Sequence, residues 1–285
     1  MSVRGDDRGT ASVDVDRSDA GTGTGTGGLD GVDRPLSRRL LVAEVWLVFG
    51  VSLGASALWA AVRYIGDLTA PGPLRSQVAE LNSSAAPGRP WLDLALQLVG
   101  VATALVPALL ALYLLVRDGG GPSAIGFDRR EPIRDICFGA GLAALVGGAG
   151  LGLYLLAWHS GANLTVVPTS LPDVWWRIPV LLLSAVENAV LEEVVVVGYL
   201  LTRLRQVGCN DRSALATSAI LRGSYHLYQG LGGFVANLIM GLLFGRIYQR
   251  WGRIGPLVVA HSLIDSVAFV GYATLAGRVS WLPTP

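Results

Sequence analysis

From Leu40 onward the chain is a succession of apolar runs, each near the length of a bilayer crossing, with arginine-bearing loops between many of them. A hydrocarbon core takes roughly 20 apolar residues per helix, and only helices or closed barrels satisfy their own backbone there. The runs fall at about 40–65, 92–116, 135–157, 175–202, 213–229, 233–250 and 255–276. They predict an all-α, polytopic transmembrane bundle of about seven helices. Composition agrees: 52% of the 285 residues are hydrophobic and only 15% are charged, too few to cover a soluble domain of this size. A net charge of +1 argues against nucleic-acid binding, so the expected surroundings are the lipid bilayer.

Residues 1–36 differ in kind. They are rich in Asp, Arg, Gly and Thr and include the run GTGTGTGG, so they are expected to form a disordered tail. Arginines orient the apolar runs beyond this tail. Arg34, Arg38 and Arg39 precede the first run, and Arg117, Arg129, Arg130 and Arg134 lie between the second and third. Arg203, Arg205 and Arg212 come after the fourth, and Arg246, Arg250 and Arg253 after the sixth. The positive-inside rule then predicts an integral plasma-membrane protein with a cytoplasmic N-terminus. The proline-bearing loop at 66–91 falls on the outer side. Cys137 and Cys209 are too far apart for a metal motif, and both are expected to be free thiols on the cytoplasmic side.

Against this background a few polar residues stand out. Glu192 and Glu193 sit inside the apolar stretch LLLSAVENAVLEEVVVVGYLL, with Glu187 and Asn188 about one turn earlier. A charge at the bilayer centre costs at least a few kcal/mol, roughly, so such residues face a protein interior and act there. Residues four apart share a helix face. Three such pairs occur on separate helices: Asn188 with Glu192, Arg222 with His226, and His261 with Asp265. The two glutamates are adjacent, hence about 100° apart around a helix, and should not do the same job. Glu192 has no basic residue on its own helix within the apolar stretch, which makes it the candidate catalyst. Glu193 reads equally well as a charge partner for Arg222 between two helices.

Other signals are weaker. His159 comes directly after Trp158 at an expected helix end and reads as interfacial, and Trp175-Trp176 reads as an aromatic belt. The NLT at Asn163 matches a glycosylation sequon by a pattern that arises often by chance. The glycine-rich stretch FGAGLAALVGGAGLG has no Lys-Ser/Thr ending, so it is not a phosphate loop. Small residues in a span permit close helix packing instead.

Two chemistries suit a carboxylate and two imidazoles in a membrane cavity. His226 and His261 would hold zinc or another divalent metal, with a glutamate as ligand or general base. Alternatively, Glu192 activates water without metal while a histidine, or a group it orients, stabilises the oxyanion. Both give amide hydrolysis. HExxH is absent, so any metal ligands would have to come from several helices.

The constellation resembles the CPBP (Abi) family of intramembrane proteases, which includes the type II CAAX prenyl endopeptidases. That family carries Glu-Glu-x-x-x-Arg, Phe-x-x-x-His and His-x-x-x-Asn or Asp on successive helices. Here the motifs read EEVVVV (Glu192 to Val197, continuing into Gly-Tyr-Leu), RGSYH (Arg222 to His226) and HSLID (His261 to Asp265). The resemblance implies a protease core over 174–276, preceded by generic transmembrane helices over 37–173. It implies that Glu192 activates the hydrolytic water with Glu193 assisting. His226 and His261 would bind a metal or polarise the scissile carbonyl, and Asp265 would support the oxyanion site or the second histidine. The substrate would be a peptide or membrane protein. Val197 replaces the motif arginine and Arg222 the motif phenylalanine, so Arg222 is expected to pair with Glu193 or Glu187. A catalytically inactive scaffold or bacteriocin-immunity protein is the competing reading. A proton-coupled transporter would use similar residues but calls for paired halves with broken helices, and no such repeat is seen.

Overall fold

The structure, a computed structural model, describes residues 36–285. The tail expected over 1–36 lies, apart from its last residue, outside them. The described chain is an all-α bundle. Helix α1 (Arg38–Gly50) and α2 (Leu53–Thr69) follow one another with a bend of 51° between them. Ser52, at the bend, donates its hydroxyl to the Val48 carbonyl at 2.5 Å. Gly54 is required there, because a Cβ would stand 2.6 Å from the Phe49 carbonyl oxygen.

Helices α3 (Pro90–Ala104) and α4 (Val106–Arg117) continue one another, and α5 (Pro132–His159) is a single long rod. Next come α6 (Arg177–Glu192), a π-helical segment Glu193–Tyr199, and α7 (Leu200–Gln206), which together form one rod. Helix α8 (Asp211–Tyr225), α9 (Leu231–Trp251) and α10 (Gly255–Leu275) complete the bundle. Among the described residues, segments Pro90–Arg117, Pro132–His159, Leu231–Trp251 and Gly255–Leu275 are long and apolar enough to cross a membrane, and the bent α1–α2 pair passes the same measure only when its two helices are taken together. The α6–α7 rod and α8 do not qualify by that measure. They carry the buried Glu187, Glu192, Glu193, Arg203 and Arg222.

Burial agrees with this division. Val194 to Val197 are fully buried at the centre, while Trp46, Leu58, Val62, Leu145 and Val267 point outward. Apolar side chains facing outward are the surface that lipid covers, and the chain is an integral membrane protein. The glycines of α5 serve close packing at one point: a Cβ on Gly139 would stand 2.7 Å from Val259 of α10. Gly141, Gly148, Gly150 and Gly152 have open space beside them.

Several expectations need correction. The 66–91 loop contains β1 (Val78–Asn82), which pairs in parallel with β2 (Thr165–Thr169) between α5 and α6. The fifth run, expected at 213–229, ends as a helix at Tyr225, and a 3-10 turn occupies Leu227–Gln229. Trp175 is exposed but Trp176 is buried against Val180, Leu181 and Phe269, so only the first fits an interfacial belt. Asn163 is buried and its side-chain oxygen accepts from the Gly233 amide, which makes it a loop brace and closes it to glycosylation. His159 stays exposed at the end of α5, and both cysteines are free thiols.

A second ionic cluster ties the bundle at the arginine-rich end. Arg203 of α7 has no solvent exposure and donates to Glu44 of α1, Gln206 and the Leu114 carbonyl of α4. It also lies 2.8 Å from Asp118, and Tyr199 donates to the same Glu44. Arg117 reaches the other oxygen of Glu44 at 2.5 Å. Three helices therefore meet on one carboxylate.

Candidate active site

The site is assembled where the α6 rod changes its winding. Glu192 is the last residue of α6 and Glu193 the first of the π-helical segment. Such wide turns are rare and concentrate at functional sites. The two carboxylates point to different partners, as their angular separation requires.

Glu193 faces α8 and α10. Its Oε1 accepts from Arg222 Nη2 and from His261 Nδ1, the latter at 2.8 Å. Neither Glu193 nor Arg222 touches solvent, and the Arg222 guanidinium lies over the Phe244 ring at 5.6 Å. The charge partner from the neighbouring helix is thus Glu193, not Glu187. Val197, where the family motif has its arginine, is fully buried among apolar side chains.

Glu192 faces the end of α8. Its Oε2 accepts from the Tyr225 hydroxyl at 2.8 Å and lies 3.6 Å from Arg222 Nη2. Its Oε1 stands 3.9 Å from His226 Nε2, too far for a direct hydrogen bond. His226 sits just past α8, where its Nδ1 contacts the Arg222 carbonyl at 3.0 Å. A carbonyl only accepts, so in the neutral imidazole the proton is on Nδ1 and Nε2 turns a lone pair toward Glu192. His261, on α10, uses Nδ1 on Glu193 and places Nε2 3.7 Å from Asp265. Asn188 lies beside Asp265.

Glu192, Glu193, Arg222, His226, His261 and Asp265 are therefore brought together from three helices, with Asn188 at the edge. Tyr225 is a further member, absent from the sequence-based candidates. Spacing gives no signal for it, because a residue next to His226 points about 100° away on a regular helix. Glu187 is buried nearby with one oxygen lacking a hydrogen-bond partner.

The metal expectation can be set against this donor set. Among the described residues no three His, Cys, Asp or Glu side chains converge at metal-ligand spacing. Each histidine spends Nδ1 on a protein acceptor, and the two Nε2 atoms face different carboxylates. A guanidinium already stands between the glutamates. Anchoring through Nδ1 leaves each Nε2 free to ligate, so His226 with Glu192 and His261 with Asp265 would be the groups to hold a divalent ion.

Fold and site together define an integral membrane protein with a buried carboxylate–imidazole centre. Residues 174–267 match the family model of type II CAAX prenyl endopeptidase Rce1-like proteins, a protease family. No curated protein and no solved structure matches the chain significantly. The matched segment runs from just before α6 into α10 and contains every residue of the cluster, while α1 to α5 lie outside it.

Proposed function

We propose that the protein is an intramembrane endopeptidase that hydrolyses a peptide bond with water activated by Glu192 and His226. The observation that carries this reading is the 3.9 Å gap between Glu192 Oε1 and His226 Nε2, both acceptors. A water seated between these two acceptors can donate to both. Glu192 takes one proton as the water oxygen attacks the scissile carbonyl carbon, and it returns that proton to the leaving amine nitrogen. Tyr225 holds the Glu192 carboxylate in place from its other oxygen. His261, fixed by Glu193 and flanked by Asp265, donates from Nε2 to the developing oxyanion as the imidazolium, in which both ring nitrogens carry protons. Arg222 offsets the charge of Glu193, which leaves Glu192 as the carboxylate that takes up the proton.

The arginine distribution supports a cytoplasmic N-terminus and residence in the plasma membrane. The family name supports peptides with an apolar, membrane-associated C-terminal region as substrates.

The test uses the purified chain in lipid nanodiscs with a panel of fluorogenic peptides, prenylated and unprenylated. Glu192→Gln should lose cleavage by at least about 10³-fold, as removal of a catalytic base does, with unchanged helicity and melting. Unchanged cleavage overturns the assignment. If Glu192→Gln and His226→Ala instead destabilise the fold equally, and phenotype tracks abundance, the polar cluster is a scaffold's core.

A further inference from the structure

We propose that the protein holds an anionic phospholipid by its phosphate in a cavity where α5, α9 and α10 meet at the arginine-rich end of the bundle. The inference is independent of the peptidase reading. The cavity measures about 220 Å³ and is walled by Arg134, Asp135 and Phe138 of α5, Trp251 of α9, and Arg253 and Pro256. Its depth in the membrane follows from the chain. Trp251 ends one segment able to cross the membrane, Pro132 begins another and Gly255 begins a third, and the cavity lies against all three ends. Such ends mark the boundary between hydrocarbon and headgroups, which is where lipid phosphates lie. Ile133 and Ile136, in the first turns of α5, are 77% and 57% exposed, so an apolar surface for acyl chains begins beside the cavity.

The acids of this corner are already taken. Arg253 donates to Asp135 at 2.8 Å and to Asp128 at 3.1 Å, and Arg134 reaches Glu131 at 2.5 Å. Residues 128–135 and 250–253 carry five arginines against three acids, and among the described residues Arg129 and Arg250 have no carboxylate within 4.0 Å. An ammonium headgroup therefore finds no free carboxylate here, whereas a phosphate is met by cations. Arg134 is the cation poised for it. Its guanidinium rests over the Trp251 ring at 5.6 Å, and Phe138 packs edge-on against that ring at 4.4 Å. The pair that Arg134 makes with Glu131 is open to solvent on both sides and hence weak, so a phosphate competes for the same donors. The guanidinium fork matches two phosphate oxygens at once. Arg253, clamped between two acids, braces the wall and is not the ligand's cation.

Trp251 itself reports the site. The purified chain is placed in phosphatidylcholine nanodiscs containing a minor fraction of phospholipid brominated on its acyl chains, either phosphatidylglycerol or phosphatidylcholine. Bromine quenches nearby indoles, and the Trp251 contribution is the difference between the native chain and Trp251→Phe. Brominated phosphatidylglycerol should quench that contribution about fivefold more effectively than brominated phosphatidylcholine, the margin of one arginine–lipid contact. Arg134→Gln should bring the ratio to about one with melting unchanged, since the side chain is exposed. Arg39→Gln, which removes an exposed arginine at the same end but outside the cavity, should leave the ratio as it is. Equal quenching by the two lipids in the native chain overturns the proposal. A ratio that survives Arg134→Gln, or falls equally in Arg39→Gln, also overturns it, because the attraction then belongs to a diffuse surface field. Millimolar inorganic phosphate at constant ionic strength should not change the ratio. Loss of the ratio there assigns the cavity to a soluble anion and overturns the lipid reading.

Discussion

Arg222 donates to Glu193 across the α6–α8 interface, and neither side chain is exposed to solvent. Taking either charge away leaves the other buried without compensation, which costs about 3–5 kcal/mol. Arg222→Phe, which installs the motif's phenylalanine, should therefore lower stability by that amount, measured as unfolding in mixed micelles. Val197 lies one turn beyond Glu193 on the same rod, so the double variant Val197→Arg with Arg222→Phe returns a cation to the carboxylate. It should recover at least half of the loss. A double variant no more stable than Arg222→Phe alone would show that the interhelical pair does not substitute for the missing motif arginine.

The interior of the sequence is more legible than its edges. Hydropathy locates the helices but also counts the α6 rod and α8 as crossings, and i,i+4 spacing identifies the polar residues of three helices, because a buried charge in an apolar run has few alternative explanations. Spacing does not show the π-helical segment after Glu192, which alters the phase of everything beyond it. Arg203 reads from sequence only as a topology marker, although Glu44, a lone acid in the first apolar run, is the visible sign of a buried partner. β1 is hidden among prolines and polar residues, since a five-residue strand gives almost no periodic signal and depends on a partner far along the chain, with Val78 opposite Thr165.

Tyr225 should act on rate more than on stability. Its ring stays packed in Tyr225→Phe, but the hydroxyl that orients Glu192 is lost. A hydrogen bond to a charged group is worth about 1.5–3 kcal/mol, so kcat should fall by roughly 10- to 100-fold. Melting should move little by comparison. A kcat within about twofold of the native protein would remove Tyr225 from the machinery.

The Arg203 cluster should behave in the opposite way. Arg203→Met strips Glu44 and Asp118 of their buried cation and the Leu114 carbonyl of its donor, at about 3–5 kcal/mol. Arg117 reaches the same Glu44 from a partly exposed position, and Arg117→Ala should cost only about 1 kcal/mol or less. Unfolding of the two variants in parallel decides this. Similar losses would mean that Glu44 is held by both arginines alike.

Gly139 sets the distance between α5 and α10. In Gly139→Ala the new methyl meets Val259 Cβ at 2.7 Å and the Pro256 carbonyl oxygen at 2.8 Å, and the second of these is backbone that cannot rotate away. Overpacking of this kind costs about 1–3 kcal/mol. Because α10 carries His261 and Asp265, the displacement should reach the site as well, lowering kcat along with stability. Gly141→Ala, two residues on and facing open space, gains helix propensity and should be neutral or stabilising by up to about 1 kcal/mol. Measuring melting and turnover for both variants separates packing from propensity. If Gly139→Ala is as harmless as Gly141→Ala, the close approach of α5 to α10 is not what holds His261 against Glu193.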